Sequence, residues 1–313
     1  MNYLYYPGCS LQGTAVEYDV ATRAFLQAVG AELTELEDWT CCGATAAQGI
    51  SRLLSIALPA RNLALAERMQ PHGDLLVPCS ACYLNLKAAG EEIKKSAELR
   101  ETVNAALAVE GLSLTGGIRV RHLLDVLSGD LDPARLAEAC NRSLSGVRVA
   151  PYYGCQCLRP FEVFDNGEAP RSMEPLLSAV GAQIHPWTMG PKCCGASHMN
   201  TKMPLGLALS GDILEAARGA DVIATVCPMC QMNLEAYQKK ISRQHGLDLS
   251  ISVVYLPQLL GLALGLAWES VGLDRNLAVG DGFRSKLDAH PSAGPAEKSG
   301  PAGLRSAIAA QGL

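Results

Sequence analysis

The apolar positions fall into short runs separated by stretches of helical period, and this alternation is laid down twice along the chain. The run over 3–6 stops at Pro7-Gly8, which predicts a strand ending in a turn that carries Cys9. Thr14-Ala15-Val16-Glu17 has the form of a capping box. Behind it Tyr18, Ala21, Phe25 and Ala28 keep helical spacing as far as Gly30. A strand is expected over 32–36, a loop at Cys41-Cys42-Gly43, a helix over 53–69 and a buried strand over 75–77 leading to Cys79. The charged, Ala-rich stretch 83–109 predicts one long connecting helix with a solvated face. The order then returns, with a strand over 147–153, helices over 173–180 and 205–218, and a strand over 222–226 that again ends in Cys. Strands alternating with helices predict parallel α/β sheets, whose ligands sit beyond the carboxyl ends of the strands. Cys9, Cys79, Cys155 and Cys227 fall at those ends. From about Gly280 the chain is rich in Gly, Pro, Ser and Ala without a period, as in a flexible tail. The expected division is a first domain over 1–146, a second over 147–280 and a tail over 281–313.

The cysteines repeat with the elements. The first half reads Cys9, then Cys41-Cys42-Gly43, then Cys79-Ser80-Ala81-Cys82; the second reads Cys155, then Cys193-Cys194-Gly195, then Cys227-Pro228-Met229-Cys230. The first members of the three pairs are offset by 146, 152 and 148 residues. Flanking sequence repeats as well. Ala28-Val29-Gly30-Ala31 matches Ala179-Val180-Gly181-Ala182, and each CxxC is followed by Asn-Leu, at Asn85-Leu86 and Asn233-Leu234. A duplicated domain with small loop differences accounts for all of this.

Composition narrows the chemistry. The 313 residues are 49% hydrophobic but only 5% aromatic, enough for two aliphatic cores. A net charge of −5 has the wrong sign for a phosphate-binding surface, so no nucleic-acid partner is expected. The longest apolar run, 259–268, is about half of what a bilayer span needs. The first residues show neither a basic nor an apolar signal region, so the expectation is a soluble cytoplasmic protein. Twelve cysteines in that compartment read as metal ligands or redox groups rather than staples.

A zinc site closes with four ligands, whereas each half here offers five cysteines. A cubane iron–sulfur cluster also takes four, and the close ferredoxin spacing is absent. Adjacent thiolates chelate one tetrahedral ion badly but reach two irons, and the following glycine lets the backbone approach. Each half therefore reads as built for one iron–sulfur cluster, larger or more open than a cubane.

On these residues the chain resembles the family of heterodisulfide reductase B-type subunits, made of two cysteine-rich CCG domains. The resemblance covers about 3–262. It implies an α/β fold of two pseudo-twofold-related Rossmann-like CCG domains, each a short parallel sheet flanked by helices. It implies one noncubane [4Fe-4S] cluster on Cys9, Cys41, Cys42, Cys79 and Cys82, and a second on Cys155, Cys193, Cys194, Cys227 and Cys230. It further implies reduction or formation of a disulfide lying between the clusters, by paired one-electron transfers. The partners implied are a ferredoxin-like C-type subunit and a flavoprotein A-type subunit, since no Gly-x-Gly-x-x-Gly or Walker-type loop is present. Other CCG proteins use the motif in electron-transfer subunits without disulfide chemistry, which is the alternative reading.

Lys192 and His198 flank the second CCG triplet and are candidates for proton supply, against a rim cation for Lys192 and a position for His198 that the first half fills with Ala46. Cys157 stands as an alternative ligand, a substrate-facing thiol or a packed small hydrophobe. Cys140 has the helical spacing of a core residue.

Overall fold

The structure, a computed structural model, describes residues 1–44, 46–70 and 73–289. Two sheets carry the fold, one in each half. The first contains β1 (Asn2–Tyr5), β2 (Glu32–Glu35), β3 (Leu75–Val77) and β4 (Val120–His122), in the order β2-β1-β3-β4. The second contains β5 (Arg148–Tyr152), β6 (Gln183–Ile184), β7 (Val222–Thr225) and β8 (Ser252–Tyr255), in the order β6-β5-β7-β8. Every pairing is parallel, so helices must return the chain and cover the faces. The four residues of β7 and of β8 are all buried, as a strand covered on both faces requires. In each sheet the winding direction reverses beside the first strand, between β1 and β3 and between β5 and β7. That reversal opens a crevice at the strand ends, and both cysteine sets lie there.

Most predicted elements stand within one or two residues, and four differ. Pro7-Gly8 opens a short helix, Gly8–Gln12, rather than a bare turn. The Thr14 capping box does not form: the next helix runs Val16–Ala28 with Ala15 at its N-cap, without a side-chain cap, and Glu17 is buried. The single connecting helix over 83–109 is two helices, Ser80–Lys95 and Ala97–Leu107. Ser96 ends the first in extended backbone and caps the second by accepting from Leu99 N–H. Part of the stretch expected as tail is folded. Asp281–Asp288 is a helix that buries Phe283 and Leu287 and ties Lys286 to Asp221 at 2.7 Å, and the rest of the expected tail lies outside the described residues. The first half of the apolar run over 259–268 belongs to the buried helix Leu256–Ala263. Among the described residues no helix is long and apolar enough to cross a membrane.

One hydrophobic core runs through both halves, with a smaller one confined to the second. The halves meet through two ring pairs related by the duplication. Tyr18 stacks on Tyr255 at a centroid distance of 4.0 Å and an interplanar angle of 4°, and Phe164 stacks on His122 at 6.1 Å and 4°. Tyr18 and Phe164 each lie nine residues after the first cysteine of their half, and His122 and Tyr255 each end the last strand of theirs. Each half thus lays one ring on the other's sheet end, the arrangement a pseudo-twofold axis produces. The Tyr18 hydroxyl lies 3.2 Å from Pro78 O and 3.1 Å from Val226 O, so the residues before Cys79 and Cys227 share one buried donor. Tyr18→Phe keeps the stack and removes this donor. It is expected to cost ~1–3 kcal/mol, read as a thermal midpoint a few degrees lower.

Candidate functional site

Each set of five cysteines is assembled from three places. Cys9 follows β1 and Cys155 follows β5. Cys79 and Cys227 occupy the N-caps of helices Ser80–Lys95 and Pro228–Ala236. Cys82 and Cys230 lie one turn into those helices. The CCG triplets come from the loops after β2 and β6.

The same side chains anchor both triplets. Tyr6 donates to Thr40 O and Tyr152 to Lys192 O, each at 2.7 Å, fixing the residue before the triplet. Asn85 Nδ2 donates to Cys42 O at 3.1 Å and Asn233 Nδ2 to Cys194 O at 2.6 Å, fixing the middle of it. The repeated Asn-Leu pair of the sequence is therefore a clamp. Gly43 N–H points at Cys41 Sγ at 3.4 Å and Gly195 N–H at Cys193 Sγ at 3.3 Å. Both glycines hold positive φ, at 72° and 77°.

The sulfurs touch in the same sequence in both halves. Cys9 meets Cys41, Cys42 Sγ is 3.3 Å from Cys82 Sγ, and Cys82 meets Cys79. Correspondingly Cys155 meets Cys193, Cys194 Sγ is 3.6 Å from Cys230 Sγ, and Cys230 meets Cys227. All twelve cysteines are free thiols. Hydrogen bonding between neighbours splits their acidities. The bond from Cys155, with help from Gly195 N–H and the charges of His198 and Arg159, draws Cys193 down to about 6. The bond from Cys230 draws Cys227 down to about 7. Cys82 lowers Cys42 in the same way. The neighbours that donate these bonds, Cys82, Cys155 and Cys230, are raised in turn, so each half pairs more acidic thiols with less acidic ones.

This donor set fits an iron–sulfur centre. Five sulfurs are strung as a chain, and among the described residues no three His, Cys, Asp or Glu side chains converge on the position of a single ion. Room is made by the residue before each first cysteine. Gly8 and Gly154 hold φ at +73° and +70°, and a Cβ there would stand 2.9 Å from Cys82 Sγ and 3.0 Å from Cys230 Sγ. The two sites differ in access: Cys9 and Cys41 are exposed, whereas Cys155 and Cys193 are half-buried.

The remaining sequence candidates separate. His198, in a single turn Ala196–His198, stands close enough to Cys193 to act on its charge, whereas Lys192 is exposed and gives its carbonyl to Tyr152. Cys157 is fully buried and donates to Tyr153 O at 3.2 Å, so it is packed and not open to substrate. Cys140 is half-buried and donates to Arg142 O at 3.2 Å. Sequence reasoning missed Arg159, whose guanidinium is held by Pro191 O at 2.8 Å and Glu168 at 3.1 Å and adds positive charge beside Cys193. No motif marks it; only folding brings the 156–173 loop against the second triplet.

At the seam, His122 is fully buried, and desolvation lowers its pKa to about 3 from 6.5. The unfolded chain takes up a proton near 6.5 and the folded chain does not until about 3. The stability this gives is complete above 6.5 and is lost progressively as pH falls toward 3. Burial raises Glu235 to about 7, with the opposite sign: its contribution is present below 4.5 and lost as pH rises through 7. His122→Asn is therefore expected to flatten the acid side of the stability profile specifically. Thermal midpoints of the two proteins at pH 7.5 and 5.5 check this.

Comparison with known proteins gives the class. The cysteine-rich CCG domain matches twice, over 3–87 and 149–235. The chain is 33% identical, over 88% of its length and 96% of the relative's, to the 8-methylmenaquinol:fumarate reductase membrane anchor subunit of Wolinella succinogenes. It is 30% identical, over 90% of its length and 95% of the relative's, to the B-type subunit of the ferredoxin:CoB-CoM heterodisulfide reductase of Methanosarcina mazei. The crystal structure of a hypothetical protein from Helicobacter pylori shares the fold at a TM-score of 0.73 and 16% identity. That match covers 89% of this chain, which spans about half (52%) of the solved one. Fold and site together define a duplicated cysteine-rich oxidoreductase subunit. The chain belongs to the family of heterodisulfide reductase B-type subunits, and is a heterodisulfide-reductase-like iron–sulfur subunit.

Proposed function

We propose that this chain is the catalytic iron–sulfur subunit of a heterodisulfide reductase-like complex, reducing or forming a disulfide between two noncubane [4Fe-4S] clusters. Cys9, Cys41, Cys42, Cys79 and Cys82 hold one cluster, and Cys155, Cys193, Cys194, Cys227 and Cys230 the other. The observation that carries this reading is the identical chain of sulfur contacts in both halves, with Cys79 and Cys227 flanking one seam. Bound there, the pair of clusters supplies single electrons and Lewis-acidic iron to the two sulfurs of a disulfide.

The protein's own groups do the rest. Opening a disulfide takes up two electrons and two protons and leaves two thiols, so anionic sulfur must be stabilised and then protonated. His198 and Arg159 place positive charge beside Cys193, and an imidazole there can hand on a proton as well as carry charge. Exposed Lys192 adds charge at the rim. Electrons enter through a ferredoxin-like partner and a flavoprotein partner. The cytoplasm is the proposed location.

A second reading is favoured by the fumarate reductase relative: the same centres relay electrons within another oxidoreductase complex and touch no disulfide. Electron paramagnetic resonance of the oxidised protein with added thiols separates the two. A catalytic subunit is expected to show a signal altered by the right thiol. A signal indifferent to every thiol and disulfide offered, in protein of full iron content, supports the relay.

A further inference from the structure

The duplication is imperfect where the halves touch. The second position of the first CxxC is Ser80, and its counterpart in the second is Pro228. Ser80 is buried, and its hydroxyl reaches across the seam to lie 3.3 Å from Val226 O, the carbonyl just before Cys227. Behind it stands His122, with Nε2 at 3.2 Å from Ser80 Oγ. We propose that the Ser80 hydroxyl, supplied by the first half, hydrogen-bonds the sulfur of Cys227 in the second half and selectively raises the reduction potential of the second centre.

A census of donors supports this direction. Leu124 N–H donates to His122 Nδ1 at 3.1 Å, which leaves the proton of the neutral ring on Nε2, facing Ser80 Oγ. A protonated Nε2 offers Ser80 no lone pair, and its proton also has Pro78 O and Val226 O in reach, so Ser80 keeps its own proton to give away. Its neighbours as acceptors are Val226 O, Cys157 and Cys227. Val226 O already has the Tyr18 hydroxyl at 3.1 Å. Cys157 is a buried neutral thiol whose proton is engaged by Tyr153 O. A metal-bound thiolate at Cys227 is the one charged acceptor, and charge-assisted hydrogen bonds are about twice as strong as neutral ones. Reduction adds negative charge to such a sulfur, so the donor stabilises the reduced state more and the potential rises. Pro228 has no hydroxyl or N–H to offer Cys79 in return. The sequence asymmetry thus becomes an asymmetry of potential, and an electron arriving at either centre settles preferentially on the second.

The inference rests on the reading that each quintet holds an iron–sulfur centre. Its test is a redox titration of the whole chain followed by electron paramagnetic resonance, comparing the native protein with Ser80→Ala and Ser80→Thr. Ser80→Ala is expected to make the second centre about tenfold harder to reduce, ~59 mV for a one-electron couple, and to leave the first unmoved. Ser80→Thr keeps a hydroxyl and is expected to retain the native midpoints. Cys42→Ala and Cys194→Ala backgrounds, each keeping one centre, assign the signals. Intact iron with no shift, or with equal shifts in both centres, overturns this inference alone. Absence of iron overturns it together with the reading beneath it.

Discussion

Cys42→Ala is expected to remove about half of the bound iron and sulfide, and Cys194→Ala the other half. These middle cysteines join the two ends of each sulfur chain: Cys42 links the exposed Cys9–Cys41 pair to the buried Cys82–Cys79 pair, with 3.3 Å to Cys82 Sγ. Cys194 holds the matching position of the repeat, 3.6 Å from Cys230 Sγ. Without the link, four sulfurs remain in two separated pairs, too few for a five-ligand centre. Each sheet has its own triplet clamp, Asn85 in one half and Asn233 in the other, so the loss is expected to stay within one half. Iron and sulfide analysis of the purified variants reads this directly. Full iron in either variant would remove that cysteine from the ligand set.

The second large effect is at a residue with no side chain. Gly8 holds φ at +73°, which an L-residue rarely adopts, and a Cβ there would sit 2.9 Å from Cys82 Sγ and 3.2 Å from the Tyr6 ring. Neither neighbour can yield cheaply. Cys82 is fixed in a helix, and Tyr6 is buried and bonded to Thr40 O. Gly8→Ala is expected to push the Cys82 sulfur away and to cost the first half most of its iron, with the second half unchanged. Gly154→Ala is expected to do the mirror image through Cys230, 3.0 Å away. Spectra resolving the two centres check the selectivity, and a Gly8→Ala protein with both centres intact would show that the close approach has no bearing on assembly.

How much of this is legible in the sequence follows from where the information sits. The doubling, the strand-end placement of four cysteines and the two quintets are visible because they are written as residue identity at fixed spacing. The strands β4 and β8 carry no such mark. Val120-Arg121-His122 has one aliphatic residue in three, and its buried Arg121 is neutralised by Asp125 and Asp130 at 2.9 and 2.6 Å, with Asp74 at 3.6 Å. The break at Ser96 hides inside a run of good helix formers, where a single cap residue outweighs propensity. The capping box at Thr14 fails because a local pattern is overruled by burial of Glu17. Arg159, Tyr18 and Ser80 act across the chain, on partners 32, 208 and 146 residues away, and no local pattern encodes such contacts. Asn85 and Asn233 lie between these cases: the repeat displays them, but only the fold shows what they hold.

The most direct test of the whole account is iron and acid-labile sulfide per chain in the anaerobically purified protein. The expected result is about eight irons with matching sulfide, as two four-iron centres require, and no stoichiometric zinc. One or two zinc ions per chain with negligible sulfide would contradict it, since the paired sulfur chains would then be gripping lone ions.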